Sequence, residues 1–251
     1  PLTLSDPTPP IAEAGSTDEL NCLVTSLNLT GSSPTPGVTF AWTTSGTGNI
    51  VGGADTATPL VNQPGVYTLT VTDPSTGCTA VDTVTITFLP DTTAPVADAA
   101  TLTALTGECS VAAPTAPTAT DNCDGAVTGT TTTVFPITTP GLTVVTWTYT
   151  DVDGNTSTQT QNVTIDDVTA PVADAATLTA LTGECSVAAP TAPTATDNCD
   201  GAVTGTTTTV FPITTPGLTV VTWTYTDVDG NTSTQTQDVT IDDVTAPVAD
   251  A

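Results

Sequence analysis

The chain has no lysine, arginine, histidine or methionine among its 251 residues. Asp and Glu number 26, so the formal charge is −26 and no side chain opposes it. Without cationic groups the chain cannot displace counterions from phosphates, which excludes nucleic-acid binding. Electrostatic attachment to anionic lipid is excluded for the same reason. Ser-His and Ser-Lys nucleophile pairs cannot form, nor can a Lys–Asn isopeptide crosslink. Paired carboxylates would serve glycoside hydrolysis only inside a cleft, which small sandwiches rarely offer, so no enzyme is expected. No run of about 20 apolar residues occurs, so no membrane-spanning helix is expected. No secretory leader is visible from Pro1 onward, and targeting or anchoring is expected to lie outside this stretch. Lacking a basic partner, the carboxylates must be exposed, hydrogen-bonded to backbone, or bound to metal. Partners are therefore cations, neutral glycans or other proteins.

Single-signed charge can mark disorder, but only 10% of residues are charged and 37% are hydrophobic. The dominant regularity is a long repeat. Residues 94–169 recur at 170–245 with one change, Asn162 for Asp238, so the period is 76 residues. A further copy opens at Ala246. A period this long is a whole small domain rather than one turn of a solenoid. The expected organisation is a module at 1–90, repeats at 91–167 and 168–245, and the start of another at 246–251.

Thr, Val, Pro and Gly dominate, and helix signals are almost missing. Gly141 to Asp151 reads GLTVVTWTYTD, which puts Val145, Trp147 and Tyr149 on one face. An Asp-Gly turn at Asp151–Asn155 leads into Thr156 to Asp166, where Val163 and Ile165 share a face. Each repeat therefore ends in a hairpin. Thr101 to Leu105 and Ala126 to Phe135 are further strand candidates, punctuated by Pro114, Pro117, Pro136 and Pro140. Residues 1–90 follow the same grammar: Val38, Phe40 and Trp42 share one face, and Tyr67, Leu69 and Val71 another. Gly65–Asp73 and Val81–Phe88 form a second hairpin, with Cys78 in its second arm. The fold class is all-β, with tandem immunoglobulin-like sandwiches. The joints at 90–97, 166–173 and 242–249 each carry Thr-Ala-Pro-Val-Ala. They stiffen an extended array into a rod.

Six cysteines fall two to a module. Even, paired placement predicts disulfides Cys22–Cys78, Cys109–Cys123 and Cys185–Cys199 and an oxidising compartment. A closed loop of about 15 residues is worth ~3 kcal/mol in the chain-entropy model. Two cysteines and no histidine per module cannot complete a tetrahedral zinc site.

TATDNCDGAV (118–127), FPITTPGLTVVTWTYTDVDGNTSTQTQNVTI (135–165) and the trailing DDVTAP resemble the hyalin repeat (HYR) domain over nearly all of each unit. The resemblance implies an immunoglobulin-like sandwich found in extracellular adhesive arrays. GVTFAWTTSGTGNI (37–50) and NQPGVYTLTVTDPSTGC (62–78) are similar to Ig-like/PKD-like modules of giant secreted bacterial adhesins. That match departs at Leu69, two residues after Tyr67, where an Ig-type F strand carries cysteine. Such mixed arrays occur in gliding-motility adhesins exported by type IX secretion. Family members usually carry some basic residues, and this chain has none.

Calcium takes six to eight oxygens, and loops at module ends supply them. The candidate ligands are Asp151, Asp153 and Asn155 in the hairpin turn and Asp166 and Asp167 at the joint. Asp227, Asp229, Asn231, Asp242 and Asp243 repeat them. Asp121, Asn122 and Asp124 form another acidic cluster. The spacing is not an EF-hand, because Gly154 comes too early. The competing reading is a plain turn, since Asp, Asn and Gly tolerate left-handed geometry. Asn28, Asn155, Asn162 and Asn231 lie in Asn-x-Ser/Thr sequons. Thr56, Thr83 and Thr92 follow Asp in triplets resembling a bacterial O-glycosylation motif. Trp147 and Trp223, flanked by Val and Tyr at i ± 2, read as core rather than sugar platforms.

The expected function is structural: stalk or spacer repeats of a long cell-surface adhesin. The rivals are a subunit of a self-assembling surface filament and a glycan-binding accessory module. The expected partners are neighbouring repeats of the chain and other copies of it.

Overall fold

The computed structural model describes residues 8–246 and 248. Every regular element among them is a β-strand, and none is a helix long and apolar enough to cross a membrane. β1 (Asp18–Leu20), β2 (Leu27–Asn28), β3 (Thr39–Ser45), β4 (Ile50–Gly52), β5 (Leu60–Val61), β6 (Gly65–Thr72) and β7 (Thr79–Phe88) precede the repeats. The first repeat holds β8 (Val96–Ala97), β9 (Leu105–Gly107), β10 (Thr118–Asp121), β11 (Gly125–Thr128), β12 (Gly141–Thr150) and β13 (Thr156–Ile165). The second holds β14 (Val172–Ala173), β15 (Leu181–Gly183), β16 (Thr194–Asp197), β17 (Gly201–Thr204), β18 (Gly217–Thr226) and β19 (Thr232–Ile241).

These elements divide into two compact units. The first comprises Pro1–Ala100, Pro117–Thr130 and Thr148–Thr158. One of its sheets runs β1-β7-β6-β3 and another β2-β5-β4. Between them Trp42, Tyr67, Leu69, Val71, Val84 and Ile86 meet Val61 and Leu29 in one buried cluster. The alternation expected for β6 is met, with Tyr67, Leu69 and Val71 fully buried. Tyr67 also anchors its own strand: its hydroxyl donates to Gln63 O and accepts from Asn49 N–H. The same unit holds the sheet β11-β10-β8. There the backbone of Gly129 runs so close to Tyr149 that an added Cβ would lie 3.0 Å from the ring and 3.1 Å from Pro117 O. Only glycine fits without something shifting.

The second unit comprises Thr101–Ala116, Thr131–Trp147 and Gln159–Ala251. Ile137, Val145, Trp147, Val163 and Ile165 form one core, and Val187, Ile213, Val221, Trp223, Val239 and Ile241 another. β18 and β19 pair antiparallel over their full lengths, and β15 adds to β19 in parallel. β9 adds to β13 in the same way, with Leu105 opposite Val163. Each tryptophan indole N–H is buried, and its partner comes from the neighbouring strand. Trp147 donates to Gln161 Oε1 at 3.1 Å and Trp223 to Gln237 Oε1 at 3.2 Å. The glutamines pass the bond on to Thr103 O and Thr179 O, each at 2.8 Å. This satisfies the one polar atom an otherwise apolar core must contain.

Three expectations need correction. Thr101–Leu105 gives only the short β9, which starts at Leu105, and Ala126–Phe135 gives only β11, which ends at Thr128. Pro136 closes the second stretch and removes a ladder donor. Cys78 lies in the turn before β7, not in the strand. Most important, the cystines are Cys22–Cys123 and Cys109–Cys199, with Cα separations of 5.3 and 5.0 Å. The pairings Cys22–Cys78, Cys109–Cys123 and Cys185–Cys199 are not formed. The bonded partners lie 101 and 90 residues apart in sequence, so each cystine joins one module to the next rather than closing a loop within a module. Cys185 stays as a thiol.

Candidate metal centre

Three aspartates separated by 30 residues converge in the first unit. Asp91 lies in the joint before β8, Asp121 ends β10, and Asp151 opens the β12–β13 turn. One carboxylate oxygen of each lies within 4.8 Å of the other two. Asp121 is 4% exposed and Asp151 7%. Local backbone fixes one oxygen of each. Asp121 Oδ1 accepts from Cys123 N–H at 2.8 Å and Asp124 N–H at 3.0 Å. Asp91 Oδ1 accepts from Thr93 N–H at 3.0 Å. That bond, ahead of other contributions, holds the Asp91 carboxyl below the ordinary carboxylate range. Asp151 Oδ1 accepts from Asn155 N–H at 2.7 Å, and its Oδ2 from the Asn155 amide at 2.8 Å. The same amide contacts Asp91 O at 3.0 Å and so ties the turn to the joint. The second oxygens of Asp91 and Asp121 are buried and have no hydrogen-bond partner.

The same three aspartates recur 76 residues on, inside the second unit, where Asp167 and Asp197 each bring a carboxylate oxygen within 4.8 Å of the other. Asp167, Asp197 and Asp227 are 6%, 4% and 8% exposed, and each has a buried Oδ2 without a partner. Asp197 Oδ1 accepts from Cys199 and Asp200 N–H, and Asp227 Oδ1 from Gly230 and Asn231 N–H. The Asn231 amide donates to Asp167 O at 3.0 Å. The Asp200 N–H, followed by that of Cys199, holds the Asp197 carboxyl below its usual range. The Asp167 carboxyl is itself within hydrogen-bonding reach of Asp197. Lost hydration, then the field of Asp167, Asp200, Asp227 and Asp166, pushes the exposed Asp229 carboxyl up. Negative charge is thus concentrated here with no protein cation near it.

The cystines sit beside these carboxylates. Cys22 and Cys123 Sγ lie within 4.8 Å of an Asp91 oxygen, and Cys199 Sγ within 4.8 Å of Asp167 and Asp197. Bonded as disulfides, these sulfurs are not thiolate ligands. The Asn198 amide donates to Glu108 Oε2 at 3.0 Å next to Cys109, and the Thr169 hydroxyl reaches the same oxygen at 2.8 Å.

Of the ligands expected from sequence, Asp151, Asp167 and Asp227 enter these clusters, and Asn155 and Asn231 brace them. Asp153 and Asp229 are exposed on the turn. Asp166 and Asp242 point outward, because each follows an inward isoleucine in the pleat. Asp243 repeats the Asp167 turn, accepting from Thr245 N–H at 3.1 Å, but is exposed. Asp121 stands in the sequence as part of an acidic cluster, while Asp91 and Asp197 were missed. Their signal was an Asp every 30 residues, three times in each copy. Asn28, Asn162, Thr56, Thr83 and Thr92 are exposed, whereas the amides of Asn155 and Asn231 are already engaged. Trp147 and Trp223 are 4% exposed, so neither is a sugar platform.

All-β sandwiches in tandem, stapled by cystines, define a repeat-domain protein of the extracellular kind. Residues 92–165 and 168–241 each match the HYR-like domain with four cysteines. The chain belongs to that family. It is 39% identical over 150 residues to hyalin of Lytechinus variegatus. The match covers 53% of this chain and 27% of that one, so the chain spans about a quarter of its relative. Among solved structures, mouse cadherin-23 EC22-24 superposes at a TM-score of 0.36 and 12% identity, covering 94% of this chain and 99% of that one. Sidekick-1 immunoglobulin domains 1-5 superpose at 0.32 and 10%, covering 94% and 59%. Scores this low carry no residue correspondence. The family and sequence matches are to adhesion-type repeat domains, not to enzyme families.

Proposed function

We propose that this chain is a stretch of stalk from a long extracellular adhesin, in which each repeat is locked to the next by a cystine. One observation carries the reading: Cys109 lies in the first HYR-like match and Cys199 in the second, and they are bonded. Cys22 and Cys123 repeat the relation one step earlier. A stalk that passes tension gains from such bonds, because force reaching a joint meets a covalent link as well as a sandwich. Near-identical copies suit a spacer, which needs reproducible stiffness and no unique binding site. The gliding-motility, type IX form of such an adhesin rests on the sequence resemblance of residues 1–90 alone.

The test is length against copy number. Chains with two, four and six HYR-like copies are imaged by negative-stain microscopy. At ~3.3 Å per strand residue, ten-residue strands predict roughly 30 Å of added length per copy. Particles that grow in girth rather than length refute the stalk.

A further inference from the structure

We propose that each HYR-like repeat carries a calcium site at its entry, held by Asp91, Asp121 and Asp151 in the first copy and by Asp167, Asp197 and Asp227 in the second. The proposal does not depend on the stalk reading. It begins from an imbalance: in the first copy Asp91, Asp121 and Asp151 converge, in the second Asp167 and Asp197 do and Asp227 is buried with an unpartnered oxygen, and the chain has no Lys, Arg or His to neutralise them. Burying unpaired carboxylates is costly, and a protein normally avoids it by pairing, protonation or metal binding. Here the second oxygens of Asp121, Asp167, Asp197 and Asp227 are at least nine-tenths buried and accept no hydrogen bond. Their first oxygens are held by backbone N–H groups, so the carboxylates cannot turn away. What remains is a set of oxygens facing one another across a gap.

The donor set points to the ion. Ligands on opposite sides of one ion are separated by at most twice the bond length, which for calcium, with bonds of about 2.3–2.6 Å, is about 4.6–5.2 Å. The Asp91, Asp121 and Asp151 oxygens lie within 4.8 Å of one another. An all-oxygen, carboxylate-rich set suits a hard cation and not zinc or copper. Three carboxylates leave several positions for water or backbone carbonyl oxygens, as calcium requires. The ligands come from a joint, a strand end and a hairpin turn separated by 30 residues each. The ion would fix the direction in which the chain enters each sandwich.

The intact chain, stripped with EDTA and dialysed, is titrated with calcium chloride by calorimetry and melted with and without calcium. Two calcium ions per chain are expected, one for Asp121→Asn, and none for Asp121→Asn combined with Asp197→Asn. Asn retains the oxygen that accepts the backbone bonds. Asp98→Asn, outside the clusters, retains both ions. Calcium raises the melting temperature of the wild type and leaves the double variant unmoved. In EDTA the double variant melts no lower than the wild type, because it has lost two buried charges. The proposal fails if the wild type shows no saturable heat. It also fails if the double variant still binds two ions, or if that variant melts lower in EDTA, since the carboxylates would then be structural.

Discussion

At the residue scale, the buried polar atoms do the most specific work. Gln161 joins the Trp147 indole to Thr103 O inside the core. Removing the glutamine strands a buried donor, which costs ~1–3 kcal/mol. Gln161→Ala is therefore expected to lower the unfolding free energy from urea denaturation by an amount of that order, and an unchanged value would show the indole to be solvated. Asp82 is a second case: its Oδ2 accepts from Ala14 N–H at 2.7 Å, and that bond is the main cause that pulls its carboxyl below the ordinary range. A depressed carboxyl stabilises the fold above the unfolded value, ~3.9 for aspartate. That contribution is lost as pH falls through the lower folded value. In EDTA, Asp82→Asn is expected to flatten the acid limb of the stability–pH curve below about pH 4. A curve parallel to the wild type would remove Asp82 from the account.

At the element scale, what was legible in sequence was what is local. The pleat alternation of Val145-Trp147-Tyr149 and the Asp-Gly turn after it follow from side-chain period and backbone preference, and both are present. The parallel addition of β9 to β13 was not legible, because it pairs Leu105 with Val163 across the repeat. The cystines failed for the same reason in stronger form: their partners are 101 and 90 residues apart. Cysteine count and paired spacing say nothing about which repeat supplies the partner. Among the candidate ligands, Asp151, Asp167 and Asp227 were legible from turn and joint chemistry, and Asp121 as part of an acidic cluster. Asp91 and Asp197 were not, because only the fold brings the joint aspartate to the strand end. The long-range pairing has an energetic consequence. Closing a loop of ~100 residues is worth about 4.7 kcal/mol in the chain-entropy model, against ~3 for a 15-residue loop. Cys109→Ser is expected to destabilise the second unit by several kcal/mol, measured by urea denaturation without reductant. A loss below ~1 kcal/mol would mean that the bond does not constrain the unfolded chain.

At the scale of the whole molecule, a chain of charge −26 with three separate small cores holds together by devices that recur with the repeat. Five or six large buried side chains make a thin core for each HYR-like copy, and small cores lean on covalent or metal staples. The covalent staple and the proposed metal staple fall at the same place, where one repeat gives way to the next. The covalent one is the central claim, and peptide mapping under non-reducing conditions tests it most directly. Trypsin has no site in this chain, so cleavage is at aspartate and glutamate, with mass spectrometry of the linked fragments. The account predicts one fragment pair joining Cys22 to Cys123 and another joining Cys109 to Cys199, with Cys185 open to alkylation. Fragments joining Cys109 to Cys123 and Cys185 to Cys199 would contradict it, and each repeat would then stand as a separately closed bead.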